Sequence, residues 1–220
     1  MAELTPDRGA GALVPARPGL LSPAFLRDLL DLNALYLDLG LSLAADADPR
    51  FAWSPAVRQC LLAADSVARA RVAAVPFALF ELRLPMGTCP APARRVEDGR
   101  SSPRPDPWLG RCESFAHQAL FLARRLVDAE PLGSRVVLGL SAEALAWLAD
   151  CRQAQLAELA LDPALIHLRW RQQERYWQLL VGAASRDSPR TMQWAHCIGL
   201  CLMGSDGESA PPQTRRRGRR

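Results

Sequence analysis

The chain contains no lysine: all 27 of its basic residues are arginine. It has a single asparagine, Asn33, and two isoleucines, Ile166 and Ile198, against 36 alanines. A bias of this kind follows from GC-rich coding, so the arginine content does not by itself point to nucleic acid. No run approaches the roughly 20 apolar residues of a membrane-spanning helix. The N-terminus carries Glu3, Asp7 and several prolines ahead of Leu20, unlike the basic-then-apolar opening of a secretory signal. Six cysteines (60, 89, 112, 151, 197 and 201) are too sparse for a disulfide scaffold, and they are expected to be reduced. Together these absences predict a cytoplasmic protein with no membrane segment.

What remains suits a globular protein. The 220 residues are 49% hydrophobic and 23% charged, enough for one ordinary domain or two small ones and too apolar for wholesale disorder. The formal net charge is +4, but five arginines fall in the last six residues, Arg215 to Arg220, which leaves residues 1–214 at −1. The basic character belongs to the tail, not to the body.

Periodicity organises the body into helices. Residues 1–21, rich in Gly, Pro and Ala, read as a flexible arm. Ser22-Pro23 is a helix start, and from Phe25 to Leu43 the polar residues Arg27, Asp28, Asp31 and Asp38 fall on one side of an otherwise leucine-rich surface. An apolar face that wide calls for partners on more than one side. A second element is expected over Ser54–Val75, followed by a short extended end at Ala78–Arg83. Residues 84–113, with six prolines, read as a linker. Helices are expected again at Glu113–Val127, Ala142–Cys151 capped by Ser141, Gln153–Leu161, Arg171–Ala184 and Thr191–Met203, and a disordered basic tail over 204–220. Glu143 lies in the first turn after Ser141, where the helix dipole favours a negative charge.

The two halves repeat each other. Ala34-Leu35-Tyr36-Leu37 returns as Ala119-Leu120-Phe121-Leu122 at an offset of 85, and Phe51–Ser54 parallels Leu138–Ser141 at 87. Ala78–Arg83 matches Ala164–Arg169 at 86. Three matches in order predict two similar small helical units, 22–83 and 114–203, in an all-α fold.

No catalytic constellation stands out. His117, His167 and His196 lie in no recognisable catalytic motif, and no glycine-rich phosphate loop is present; Gly139 reads as a turn into the next helix. Cys197 and Cys201, one helical turn apart beside His196, lack a second ligand pair and read as small apolar positions on a helix stripe, not as a metal site. Neither an enzyme nor a cofactor is expected. Ser141–Cys151, a short break and Gln153–Ala160 form a helix–turn–helix shape, which suits either two packed core helices or contact with DNA.

The run Leu138-Gly139-Leu140-Ser141-Ala142-Glu143, through Ala154-Gln155-Leu156-Ala157-Glu158-Leu159-Ala160, to Ile166-His167-Leu168-Arg169-Trp170 resembles the FlhD family of flagellar transcriptional regulators. Asp31-Leu32-Asn33-Ala34-Leu35-Tyr36-Leu37 resembles that family's opening helix, and Ala119–Leu126 a later one. The resemblance covers most of residues 114–188 and, more faintly, 24–83. It implies a small all-α fold, an intertwined dimer and activation of flagellar genes on promoter DNA together with an FlhC-like partner. With two units in one chain, it implies a homo-oligomer or an intramolecular pseudo-dimer whose interface includes Leu32, Leu35, Tyr36, Leu39, Phe115 and Leu122. The family's DNA-contacting Ser-Arg segment maps onto Ser185 and Arg186, with Arg190 and Thr191 at the next helix start. Ile166 stands where the family has a cysteine that links subunits, so that disulfide is absent. Arg69-Ala70-Arg71 and Glu81 occupy the first unit where the motif and its histidine are missing. The competing expectation is a helical module that binds or sequesters a regulator without touching DNA.

Overall fold

The computed structural model describes residues 21–42, 51, 53–85 and 107–206. Among these, helices α1 (Pro23–Ser42), α2 (Pro55–Ala63) and α3 (Ser66–Ala73) lead into strand β1 (Phe80–Leu82). There follow α4 (Pro107–Ala129), α5 (Pro131–Leu138), α6 (Ala142–Asp150), α7 (Gln153–Leu159), strand β2 (Ile166–Leu168), α8 (Glu174–Ser185) and α9 (Pro189–Asp206). The described chain is mostly helical, with one two-stranded ribbon. No single described helix is long and apolar enough to cross a membrane.

The helix starts follow their capping residues. Ser54 Oγ accepts from Val57 N (3.3 Å) and Ser141 Oγ from Ala144 N (3.1 Å), satisfying N–H groups that have no partner inside the helix. Asp65 accepts from Ala68 N at 2.6 Å, so the single element expected over Ser54–Val75 is two helices with a capped break between them. Pro107 sits at the head of α4. The expected linker, 84–113, therefore ends seven residues early, because its sixth proline opens a helix instead of breaking one. Residues 204–206, assigned to the tail, continue α9. Helix α5, which lies between two expected helices, begins at Pro131 and stops at Gly139, whose φ of 60° is the left-handed conformation of a helix end. Most of the expected arm, linker and tail lies outside the described residues.

The halves correspond more closely than their letters suggest. Helices α2 and α6 run over the same span at an offset of 87, as do the starts of α3 and α7, and the strands correspond at 86. For α1 and α4 the burial pattern fixes an offset of 83, not 85: buried Leu29, Leu32, Asn33, Tyr36, Leu37, Leu39 and Gly40 match buried Cys112, Phe115, Ala116, Ala119, Leu120, Leu122 and Ala123. The letter match at 85 equates buried Tyr36 with half-exposed Phe121 and fails on geometry.

The strands pair antiparallel, with Phe80 opposite Leu168, Glu81 opposite His167 and Leu82 opposite Ile166. Glu81 and His167 are equivalent positions, so a local two-fold axis passes through that pair. Flanking bonds obey it: Arg83 N donates to Leu165 O (2.7 Å), and its counterpart Arg169 N donates to Leu79 O (3.0 Å). The aromatic core gathers beside the ribbon, with Tyr36 5.3 Å from Phe115 and 5.7 Å from Phe80, ring centre to ring centre.

Two buried polar side chains break this symmetry. Asn33 donates through Nδ2 to the carbonyls of Ala73 (3.2 Å), Val75 (3.4 Å) and Phe77 (2.8 Å), and its Oδ1 accepts from Leu79 N (2.9 Å). Arg169 donates to Phe80 O through Nε (3.2 Å) and Nη2 (3.0 Å), and to Leu138 O through Nη2 (2.6 Å). Its counterpart Arg83 is exposed beside Glu81. Asn33→Leu leaves buried backbone groups unpaired at about 1–3 kcal/mol each. It is expected to lower stability by at least about 2 kcal/mol in urea titrations, whereas Asp38→Asn on the exposed face stays within about 0.5 kcal/mol. Gly139→Ala forces a Cβ onto the Arg169 guanidinium at a positive φ and is expected to lose about 1–2 kcal/mol by the same measurement.

Candidate nucleic-acid interface

The four residues singled out for DNA contact meet at the turn between α8 and α9. Ser185 ends α8 with its hydroxyl donating back to Val181 O (2.9 Å), and Arg186, exposed, donates through Nε to Gly182 O (3.0 Å). Asp187 takes a positive φ of 52°, which turns the chain into α9. Ser188 caps the new helix: Thr191 N donates to its Oγ at 3.4 Å, and the two hydroxyls lie 2.8 Å apart. Thr191 is therefore held in the cap, while Arg190 projects from the first turn, exposed.

The structure adds two residues to this surface. Arg71, from the first half, donates to Ala184 O at the end of α8 (2.9 Å) and pairs with Asp187 (2.8 Å). It thereby pins α3 to the turn with a cation at the negative end of a helix dipole. Trp194, one turn beyond Arg190, is 63% exposed. With Arg190, Thr191, Gln193 and Cys197 it lines an open concavity of about 470 Å³. The signal for Trp194 was its spacing: the buried stripe of α9 runs Ala195, Gly199, Met203, which leaves residues 190, 194, 197 and 201 to solvent. A guanidinium and an indole one turn apart suit a phosphate and a base face.

The helix–turn–helix pairs are present, as α2–α3 and α6–α7, but their chemistry differs. Helix α7 carries Glu158 and no basic residue, and α6 carries Glu143 and Asp150. The second helix of that pair offers a phosphate one cation, its exposed N-cap Arg152, among Glu143, Asp150 and Glu158, so its charge gives the DNA-contacting alternative little support.

The expected interface residues lie between α1 and α4 inside the chain. Leu32, Tyr36, Leu39, Phe115 and Leu122 are buried there, and Leu35 is half-buried at the edge. They are not a free surface for a separate molecule. Around that edge, Arg125 pairs with Asp28 (3.3 Å) and lies 5.1 Å from the Phe25 ring centre. Ile166, in the place of the family's cysteine, is buried opposite Leu82.

His196 turns away from Cys197 and Cys201. The two cysteines are exposed, while the imidazole stands edge-on to Phe77 (6.2 Å between ring centres) with Nε2 buried and without a hydrogen-bond partner. Among the described residues no group of three or more His, Cys, Asp or Glu is placed to hold a metal ion. His117 is exposed on α4, and His167 Nε2 lies 2.9 Å from Ala164 O, so the histidines do not converge.

Burial lowers the pKa of His196 from its ordinary 6.5, because the charged ring would lose its hydration. The native state holds the neutral form, so below pH 6.5 the unfolded chain binds more protons and stability falls with pH until the lowered native value is passed. Urea midpoints of the native chain are expected to drop between pH 7 and pH 5, and His196→Phe is expected to flatten that dependence. A residual slope remains from His167, whose pKa is lowered by burial and then by Arg83.

No protein-family model, curated protein or solved structure matches this chain.

Proposed function

We propose that this chain is an FlhD-like transcriptional regulator that binds promoter DNA together with an FlhC-like partner, its two halves acting as an intramolecular pseudo-dimer. The observation that carries the reading is the ribbon. Equivalent residues of the two halves meet across a local two-fold axis, and α1 and α4, equivalent by burial, lie face to face. That is the geometry an intertwined pair of separate subunits would have. The Ser-Arg segment, placed by resemblance alone, falls on an exposed turn with Arg190 and Trp194 beside it. That position supports its use as the DNA contact.

Nucleic acid would be gripped by Arg186 and Arg190 on phosphates, with Trp194 against a sugar or base. Phosphate contacts release counterions, so binding falls steeply with salt. In gel-shift titrations with promoter DNA, Arg186→Glu and Arg190→Glu are each expected to weaken binding about tenfold near 0.1 M salt and to reduce the log–log salt slope by about 1. Both variants should keep the native urea midpoint, since both side chains are exposed. A chain ending at Asp206 is titrated in parallel, because the five terminal arginines alone can hold DNA without reading it. Absence of any shift at low salt, with and without the partner, overturns the reading.

The second reading is an interaction module that binds a regulator and leaves DNA alone. It is favoured by a specific observation: Arg71, the cation contributed by the first half, is neutralised by Asp187. Co-purification with a partner without a promoter footprint would select it.

A further inference from the structure

The two-fold relation exposes one unmatched surface. Helix α8 follows β2 and lies on α2 and α3 of the other half. Its rotated image would follow β1 and lie on α6 and α7, and no described helix stands there. Burial records the difference position by position. Ala64, Ala68 and Val75, buried in the first half, correspond at an offset of 87 to Cys151 and Gln155, both half-exposed, and to exposed Asp162. By contrast Leu61 and Val72 correspond to Leu148 and Leu159, and all four are buried. Across 55–73, Ala64 and Ala68 are the buried positions whose counterparts open to solvent, and α8 lies on the helices α2 and α3 that flank and carry them.

The charge on that face is reversed as well. Arg71, which holds the end of α8 through Ala184 O and Asp187, is replaced at the equivalent position by exposed Glu158. Glu143, Asp150 and Asp162 add acidic charge, against a single base at the α6–α7 break, Arg152, around half-buried Trp147 and Cys151. An acid cannot donate to the carbonyls that end a helix, but it pairs with a basic residue in the helix's last turn, where a cation is also favoured by the dipole.

We infer that the α6–α7 face is a docking site for a basic amphipathic helix of a partner protein, seated where the two-fold image of α8 would lie. The partner helix lays an apolar stripe over Trp147 and Cys151 and sets an arginine or lysine near its C-terminus against Glu158. The acidic charge steers such a helix in and repels acidic ones. The site rests on the two-fold relation of the halves and not on DNA binding, so it stands or falls separately from the promoter contacts.

Thiol alkylation of the full chain, followed by peptide mapping, tests it. Buried Cys112 and exposed Cys197 serve as slow and fast references. The probe is a synthetic peptide of residues 170–189, this chain's own α8 with its flanks and free of cysteine, carrying Asp187→Arg. Cys151 is expected to react far faster than Cys112 in the free chain. Saturating probe should slow it at least about tenfold while leaving Cys197 unchanged. In the Glu158→Arg chain the preference should reverse, with the unaltered peptide protecting Cys151 and the Asp187→Arg peptide binding about tenfold more weakly. Three results overturn the inference. The first is Cys151 as slow as Cys112 without peptide, which means the chain already covers the face. The second is no protection by either peptide at about 1 mM, the weak limit of specific binding. The third is protection indifferent to the charge at position 158.

Discussion

The amide of Asn33 is the constraint on which the rest of the described structure depends. Helix α1 is almost wholly apolar on its buried side, and apolar packing alone would let the segment after α3 slide along it. Three carbonyls and one N–H of residues 73–79 are instead tied to one side chain. Four directional bonds in a dry environment specify a single register, because any shift strands buried polar groups. Fixing residues 73–79 fixes where β1 begins, and β1 fixes β2 through the ribbon. The place of the α8–α9 turn then follows, since α8 lies on the α2–α3 pair that Asn33 anchors.

Arg169 plays a comparable part from the other side of the ribbon, and the two anchors are not related by the two-fold axis. Asn33 corresponds to Ala116 and Arg169 to exposed Arg83. The ribbon and the α1–α4 core keep the symmetry, because strand pairing and apolar burial depend on pattern more than on identity. The polar anchors depart from it: Asn33 ties residues 73–79 of its own half, whereas Arg169 bonds both Leu138 O of its own half and Phe80 O of the other. Arg169 reaches across to Phe80 O, so its loss would loosen both halves at once.

Much of this was legible in the chain. Capping serines at 54 and 141 located two helix starts, and the short extended end expected at Ala78–Arg83 holds a strand. The repeat announced two corresponding halves. What escaped depended on single residues acting against their usual statistics. Pro107 looked like linker composition but opens a helix, and Asp65 looked like one more polar residue but caps one. The repeat offset in the first helix misled because Tyr36 and Phe121 match as letters while burial, set by which face meets the partner helix, shifts the true correspondence by two residues. Of the candidate site, Ser185, Arg186, Arg190 and Thr191 fell together on one turn. Arg71 and Trp194 were out of reach of local reading, since one arrives from 113 residues away in the chain and the other is defined by what α9 leaves uncovered.

The residue on a two-fold axis has a peculiar status. In a pair of identical subunits it meets its own copy, so an acid there meets an acid and a histidine meets a histidine. Evolution in such a pair can try only side chains that tolerate themselves. Here Glu81 faces His167 at that point, a combination open only to a molecule whose halves are encoded separately. Holding both halves in one chain also makes their association independent of concentration, because the second half is always at hand. Once meeting is assured, each half is free to specialise, and the unlike pair at the axis shows that the halves no longer need to be interchangeable.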